Sequence, residues 1–182
     1  MFILMPVIFV LGKLASFLIE ELGVKKGERL AILSESKPEY GVCVFASVLS
    51  GMVTVPLDVK LTKYELKSIM LDCEPSVIMV SQHYLDTALA LKQEISSIKH
   101  VIVMDEHSYN DGIKNIYELP DCYNAKWRHR SSKSTAFIIY TSGTTGAPKG
   151  VEISFRNITA QLEDLKIALD EILPHRKITT LS

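Results

Sequence analysis

Apolar residues recur at helical spacing from Leu14 onward. Leu14, Phe17, Leu18 and Leu22 share one face, and Gly23 stands where the helix they predict would end. Residues 25–28 read as a turn and 29–33 as a short apolar strand. Ser36 and Glu39 have capping-box spacing, with Pro38 tolerated in the first turn, and predict a helix running toward Ser50. Gly41, Ala46 and Ser47 would let that helix pack closely, Gly51 ends it, and 52–56 is strand-like. Thr62 and Glu65 repeat the capping-box spacing before an apolar face of Leu66, Ile69, Met70 and Cys73, which Pro75 stops. A strand over 77–80, a helical face of Leu85, Ala88, Leu89 and Ile95, and a strand over 101–104 follow. Further on come a strand over 137–140, a short apolar piece over 151–153, and a long amphipathic helix. Ile158, Leu162, Leu165, Leu169 and Ile172 lie on one face of that helix, with Pro174 past its end. Strands alternating with helices of this length predict an α/β fold, a mainly parallel sheet flanked by helices.

Composition narrows the class. A hydrophobic share of 47% and a charged share of 23% suit a globular domain rather than a disordered chain. The formal net charge of -1 gives no global attraction to nucleic acid. The densest cationic group, Lys126, Arg128, His129, Arg130 and Lys133, falls in the weakly patterned polar stretch 105–134. No nucleic-acid motif accompanies it, so it reads as a solvated connecting loop, and no nucleic-acid partner is expected. Cys43, Cys73 and Cys122 are widely spaced, odd in number and without a C-x-x-C pair. That spacing argues against a zinc site or disulfide framework and for a reducing, cytoplasmic compartment with the thiols as small core residues.

Residues 1–11 are almost wholly apolar, but no basic region precedes them, as a signal peptide requires, and Lys13 interrupts the window a membrane span would need. A buried helix start or strand is the plainer reading, with peripheral membrane contact left open beside it. Hydrolase chemistry has no footing: neither G-x-S-x-G nor H-E-x-x-H occurs, and His83, His100, His107, His129 and His175 are scattered.

The chemistry is concentrated in residues 140–150, Tyr-Thr-Ser-Gly-Thr-Thr-Gly-Ala-Pro-Lys-Gly. Glycines let backbone N–H groups approach polyphosphate oxygens closely, Ser and Thr hydroxyls add donors, and Lys149 adds a mobile positive charge. A flexible linker would share the composition but would not explain the flanking strand-like pieces or the Pro-Lys-Gly ending. A Walker A loop counted from Gly143 would need glycine at Pro148 and Ser or Thr at Gly150, and it would open a helix at once.

Residues 140–150 resemble the AMP-binding signature of the adenylate-forming superfamily, which includes acyl-CoA synthetases, luciferases and peptide-synthetase adenylation domains. Residues 49–58, Leu-Ser-Gly-Met-Val-Thr-Val-Pro-Leu-Asp, and 27–33, Gly-Glu-Arg-Leu-Ala-Ile-Leu, resemble the helix-to-strand and turn-to-strand segments of the same family. The resemblance covers about residues 14–173 and is nearest in flavour to long-chain fatty-acid–CoA ligases. It implies that residues 1–182 form part of the family's large N-terminal adenylation domain. It also implies an ATP-dependent activation of a carboxylic acid, a fatty acid by that flavour, to an acyl-adenylate and then to a thioester of coenzyme A. Phosphate contact is implied for Thr141, Ser142, Gly143, Thr144, Thr145, Gly146 and Lys149. Catalytic roles are implied for Lys149 and Thr141, and contact with Mg2+ for Thr141. Pro148 and Gly150 would only shape the loop.

The sequence departs from the family pattern at Phe155, where a histidine is common, and Phe155 is read as packing. Family members are longer and carry further motifs that are absent here: an aromatic-Gly-x-Thr-Glu segment, a ribose-binding aspartate and the lysine of a small C-terminal domain. The expectation is therefore a partial adenylation domain that does not turn over alone, and that exposes an aggregation-prone edge. The alternative is a non-catalytic remnant with at most weak nucleotide binding. Acyl chain length and oligomeric state have no legible signature.

Overall fold

The computed structural model describes residues 4–105, 113–119, 127–141 and 148–172. In chain order the elements are α1 (Leu4–Glu20), β1 (Arg29–Leu33), α2 (Pro38–Ser50), β2 (Val53–Pro56) and α3 (Lys63–Cys73). They continue with β3 (Val77–Val80), α4 (Leu85–Glu94), β4 (His100–Val103), β5 (Lys114–Asn115), β6 (Thr135–Thr141), β7 (Lys149–Ser154) and α5 (Phe155–Ile172). The strands form one sheet in the order β5-β4-β3-β1-β2-β6-β7. Every neighbouring pair is parallel except β6 and β7, which form an antiparallel hairpin at one edge. The α/β class and the mainly parallel sheet are thus as expected.

The central strands are apolar at most positions because both faces are covered. In β1, Leu30 and Ile32 point into one layer with Leu14, Phe17, Leu18, Cys43 and Ala46 of α1 and α2. The intervening Ala31 and Leu33 point into the other, with Leu66, Ile69 and Met70 of α3 and Leu85, Ala88 and Leu91 of α4. Strand alternation therefore decides which helices each residue meets. In α4 the expected Leu89 packs partly buried against the α3–α4 layer, and Leu91 joins it fully buried.

The helix ends show which local signals operate. Around α3 the capping box forms as expected: the Thr62 hydroxyl accepts from Glu65 N, and the Glu65 carboxylate accepts from Thr62 N at 2.8 Å. The Ser36–Glu39 capping box does not form. The N-cap of α2 is Lys37, without a side-chain cap, and Pro38 takes the first helical position. That proline has no N–H, so one of the unpaired donors at the start of the helix is absent. Gly51 closes α2 at φ 80°. After α3, Glu74 takes φ 44°, and Arg29 donates to the Glu74 carbonyl at 3.0 Å and to that of Cys73. A cation thus meets the exposed carbonyls at the helix C-terminus.

The cationic stretch is not the solvated loop its composition suggests. Arg128 donates from its backbone to Leu49 O at 2.8 Å and from its guanidinium to Val24 O. Arg130 donates to the carbonyls of Gly51 at 2.8 Å and Met52 at 3.3 Å, and Lys26 donates to His129 O at 3.1 Å. The two guanidinium groups satisfy carbonyls at the α2–β2 junction and strap the chain entering β6 across it. Lys126 lies outside the described residues. Among the described residues no helix is long and apolar enough to cross a membrane. The N-terminal apolar segment is helical from Leu4, as one of its two plain readings expected.

Candidate phosphate-binding loop

The hairpin β6–β7 frames the segment singled out in the sequence. Its register runs Ile138↔Glu152, Ile139↔Val151, Tyr140↔Gly150 and Thr141↔Lys149. Thr141 and Lys149 are therefore cross-strand partners at the mouth of the turn, and both are exposed. Directly opposed residues of an antiparallel pair have Cα atoms about 4.5–5.5 Å apart, so a hydroxyl and an ammonium can meet one anion together. Lys149 opens β7 rather than lying in the turn as expected, which gives its backbone a fixed direction. Among the described residues no ion pair involves Lys149. Ser142, Gly143, Thr144, Thr145 and Gly146 lie outside the described residues.

The stems of the turn are shaped from below. The Tyr140 phenol donates to the Asp72 carboxylate near the end of α3. Burial, then that hydrogen bond, pushes its pKa above the usual tyrosine value, so it remains a donor across the physiological range. A Cβ at Gly150 would stand 2.8 Å from Ile138 Cγ2 and 3.1 Å from Tyr140 Cζ. Glycine at 150 thus avoids a clash with the Ile138 methyl and leaves room for the Tyr140 ring, consistent with a loop-shaping role. Arg29, Asp72, Cys73, Ile138, Tyr140 and Glu152 line a cleft of about 310 Å³ beneath the hairpin. The Cys73 thiol there is pushed up to about 12, first by burial, and Cys43 is likewise held at about 12. Neither is a nucleophile at neutral pH, in keeping with their reading as core residues. Cys122 lies outside the described residues.

Phe155 packs as expected: it is half-buried, with the Arg130 guanidinium 5.8 Å from its ring centroid. Ser154 and Asn157 begin α5, with Ser154 N donating to Asn157 Oδ1 at 3.0 Å.

A second crevice lies between the loops that follow β1 and β2, beside the reversal of strand order. The chain leaves β1 through α2 toward β2 on one side, whereas β3 leads through α4 toward β4 on the other, so the reversal itself falls between β1 and β3. Ser34, Glu35, Ser36, Tyr40, Leu57 and Asp58 line a space of about 290 Å³ there. Its rim is tied by Ser81 Oγ donating to Glu35 at 2.6 Å and by Lys37 bridging Glu35 and Asp105. The hydrogen bond from Ser81 leads in lowering the Glu35 pKa. Sequence periodicity gave no signal for this crevice or for the Tyr140–Asp72 contact, because both join residues far apart in the chain.

Among the described residues no cluster of three or more His, Cys, Asp or Glu could hold a metal ion. The Mg2+ contact expected from the sequence is the hydroxyl of Thr141, an exposed residue opposite Lys149. Oxygen donors of this kind fit Mg2+, which keeps several waters and relies on substrate phosphates.

The family model described as AMP-binding enzyme matches residues 11–180. A crotonobetaine/carnitine–CoA ligase of Escherichia fergusonii is 29% identical over 145 residues, covering 75% of this chain and 28% of its own length. A long-chain-fatty-acid–CoA ligase of Salmonella typhimurium is 29% identical over 186 residues, covering 87% of this chain and 33% of its own. The chain thus spans about a third of the length of the curated relatives it matches. A crystal structure from Rhodopseudomonas palustris, provisionally assigned as a long-chain-fatty-acid CoA ligase, superposes with a TM-score of 0.78 at 24% identity. It covers 89% of this chain and 40% of that one.

Proposed function

The chain belongs to the AMP-binding enzyme family, and from that premise we propose that residues 141–149 grip the phosphates of ATP during activation of a carboxylic acid. The observation that carries this reading is the Thr141↔Lys149 register, which places a hydroxyl and a cation side by side where a glycine- and threonine-rich turn begins and ends. Lys149 neutralises charge on the phosphates, Thr141 donates to a phosphate oxygen and supplies a ligand oxygen to Mg2+, and the glycines leave room for backbone donors. Mg2+, when bound with the triphosphate, neutralises phosphate charge. Held in line, the acid's carboxylate attacks the α-phosphorus, the bond to the bridging oxygen breaks, and pyrophosphate leaves. A thiol, for which we take coenzyme A, then gives up its proton and attacks the acyl carbon of the adenylate; the thioester forms, the acyl C–O bond breaks and AMP leaves.

A fatty acid is our choice of substrate, because the fatty-acid ligase aligns with 87% of this chain against 75% for the carnitine ligase. A cytoplasmic location, with peripheral membrane contact through the apolar N-terminus, completes the reading.

Lys149→Ala tests it. The side chain is exposed, so the thermal midpoint should hold, while the Kd for Mg–ATP should rise about tenfold for the loss of one charge-assisted contact. Calorimetric titration and a melt on the same samples check both. A collapsed midpoint with unchanged ATP affinity overturns the assignment. Acid-dependent ATP–pyrophosphate exchange, with fatty acids of graded length beside short polar acids, tests the activation step and its substrate.

A further inference from the structure

We propose that Tyr140, held by Asp72 and seated against Gly150, is the positioning residue that sets the two stems of the turn; this rests on the phosphate-loop reading above. The hairpin needs such a group. β7 is an edge strand with β6 as its neighbour in the sheet, and β6 registers with β2 at Thr54↔Phe137, well short of the turn. The end of β6 that carries Thr141 is therefore placed by side chains rather than by a parallel ladder. Ile138 and Tyr140 pack against the α3–α4 layer, and the Tyr140 hydroxyl reaches across to the Asp72 carboxylate on α3. On the opposite strand Gly150 leaves room for the ring, which a Cβ there would meet at 3.1 Å.

The three residues come from α3, β6 and β7, and two of them are bonded directly to the proposed ligand-contacting pair. Tyr140 precedes Thr141, and Gly150 follows Lys149. A rotation of the ring or a shift of either stem would move the Thr141 hydroxyl relative to the Lys149 ammonium. Tyr140 itself touches no substrate in this scheme and acts through its neighbours. The Asp72–Tyr140 pair is also the link through which α3 and the first core layer fix the hairpin's height above the sheet.

The test uses the 182-residue chain with Tyr140→Phe, Asp72→Ala, Asp72→Asn and, as the control for the loop, Lys149→Ala. Asparagine keeps a carbonyl acceptor for the phenol, and alanine does not. Amide hydrogen exchange at Thr141, Lys149 and Gly150, and the Kd for Mg–ATP, are measured on each. Tyr140→Phe and Asp72→Ala are expected to speed exchange at those amides and to raise the Kd, each about threefold to tenfold, as for loss of one hydrogen bond. Exchange in β1, β3 and β4 should not change, and Asp72→Asn should recover most of both losses. Unchanged exchange in Tyr140→Phe and Asp72→Ala overturns the proposal, and so does an Asp72→Asn as impaired as Asp72→Ala. If Lys149→Ala weakens ATP binding and Tyr140→Phe does not, the latch fails and the phosphate-loop reading stands. If neither variant alters ATP affinity while exchange still quickens, the phosphate-loop reading fails, and with it the functional role of the latch.

Discussion

Gly51 shows how one residue can serve two constraints. Its φ of 80° lies in the left-handed region, where a Cβ costs about 1 kcal/mol or more. A Cβ there would also stand 3.2 Å from that of Arg128. Gly51→Ala should therefore lower the unfolding free energy by about 1–2 kcal/mol, read as a lower urea midpoint at constant slope. The left-handed stop was visible in the sequence, since glycine after an apolar helix face signals it. The close approach of Arg128 was not, because the two residues are distant in the chain and meet through the strap that precedes β6. Thr141 and Lys149 make the same point at the candidate site. Their types are legible as phosphate chemistry, but their pairing follows from the hairpin register.

Between elements, α3 carries most of what can be tested. Thr62→Ala removes the hydroxyl that accepts from Glu65 N and should cost about 1 kcal/mol by chemical denaturation. At its solvent face, Lys63 and Lys67 each meet a Glu94 oxygen of α4 at 2.7 Å. Hydrogen bonds from Lys63 and then Lys67 lower the Glu94 pKa from 4.5 to about 2. A depressed carboxylate contributes stability above its unfolded value and loses it as pH falls through the folded one. The thermal midpoint of Glu94→Gln should therefore lie below that of the parent chain at pH 7, and the two should converge as pH approaches 2. The chain itself should lose stability across the window from about 4.5 down to 2. Exposure of all three side chains keeps the effect small, and added salt should shrink it further.

Across the whole molecule, the two faces of the sheet are unequally finished. The α1–α2 and α3–α4 layers cover β1, β3 and β4, whereas the hairpin edge leaves Ile139 and Val151 exposed at 39% and 51%. On α5, Leu162 and Leu165, neighbours on one face, are each more than half exposed. An apolar helix face beside an unpaired edge strand favours association of copies. Light scattering should rise with concentration at fixed temperature. Val151→Lys with Leu162→Lys should suppress that rise without lowering the thermal midpoint, since neither side chain is in the core. Scattering unchanged by the double substitution would place the sticky surface elsewhere.

Local signals were enough for the class of fold and for most element types. Apolar runs buried on both faces, the Thr62–Glu65 cap and the stops at Gly51 and Pro75 act over a few residues, so the chain displays them directly. The glycine- and threonine-rich stretch is similar, because phosphate chemistry depends on residue types held within one turn. The order β5-β4-β3-β1-β2-β6-β7 is different in kind: helical crossovers decide which strands become neighbours, and the periodicity of each strand is the same whichever neighbour it gains. That order creates the reversal between β1 and β3 and turns the charges of Arg128 and Arg130 inward. It also leaves Val151 on an edge and brings Asp72 to Tyr140. Each is a contact between residues far apart in the chain, where hydrogen bonding and steric fit, rather than local propensity, choose the partner.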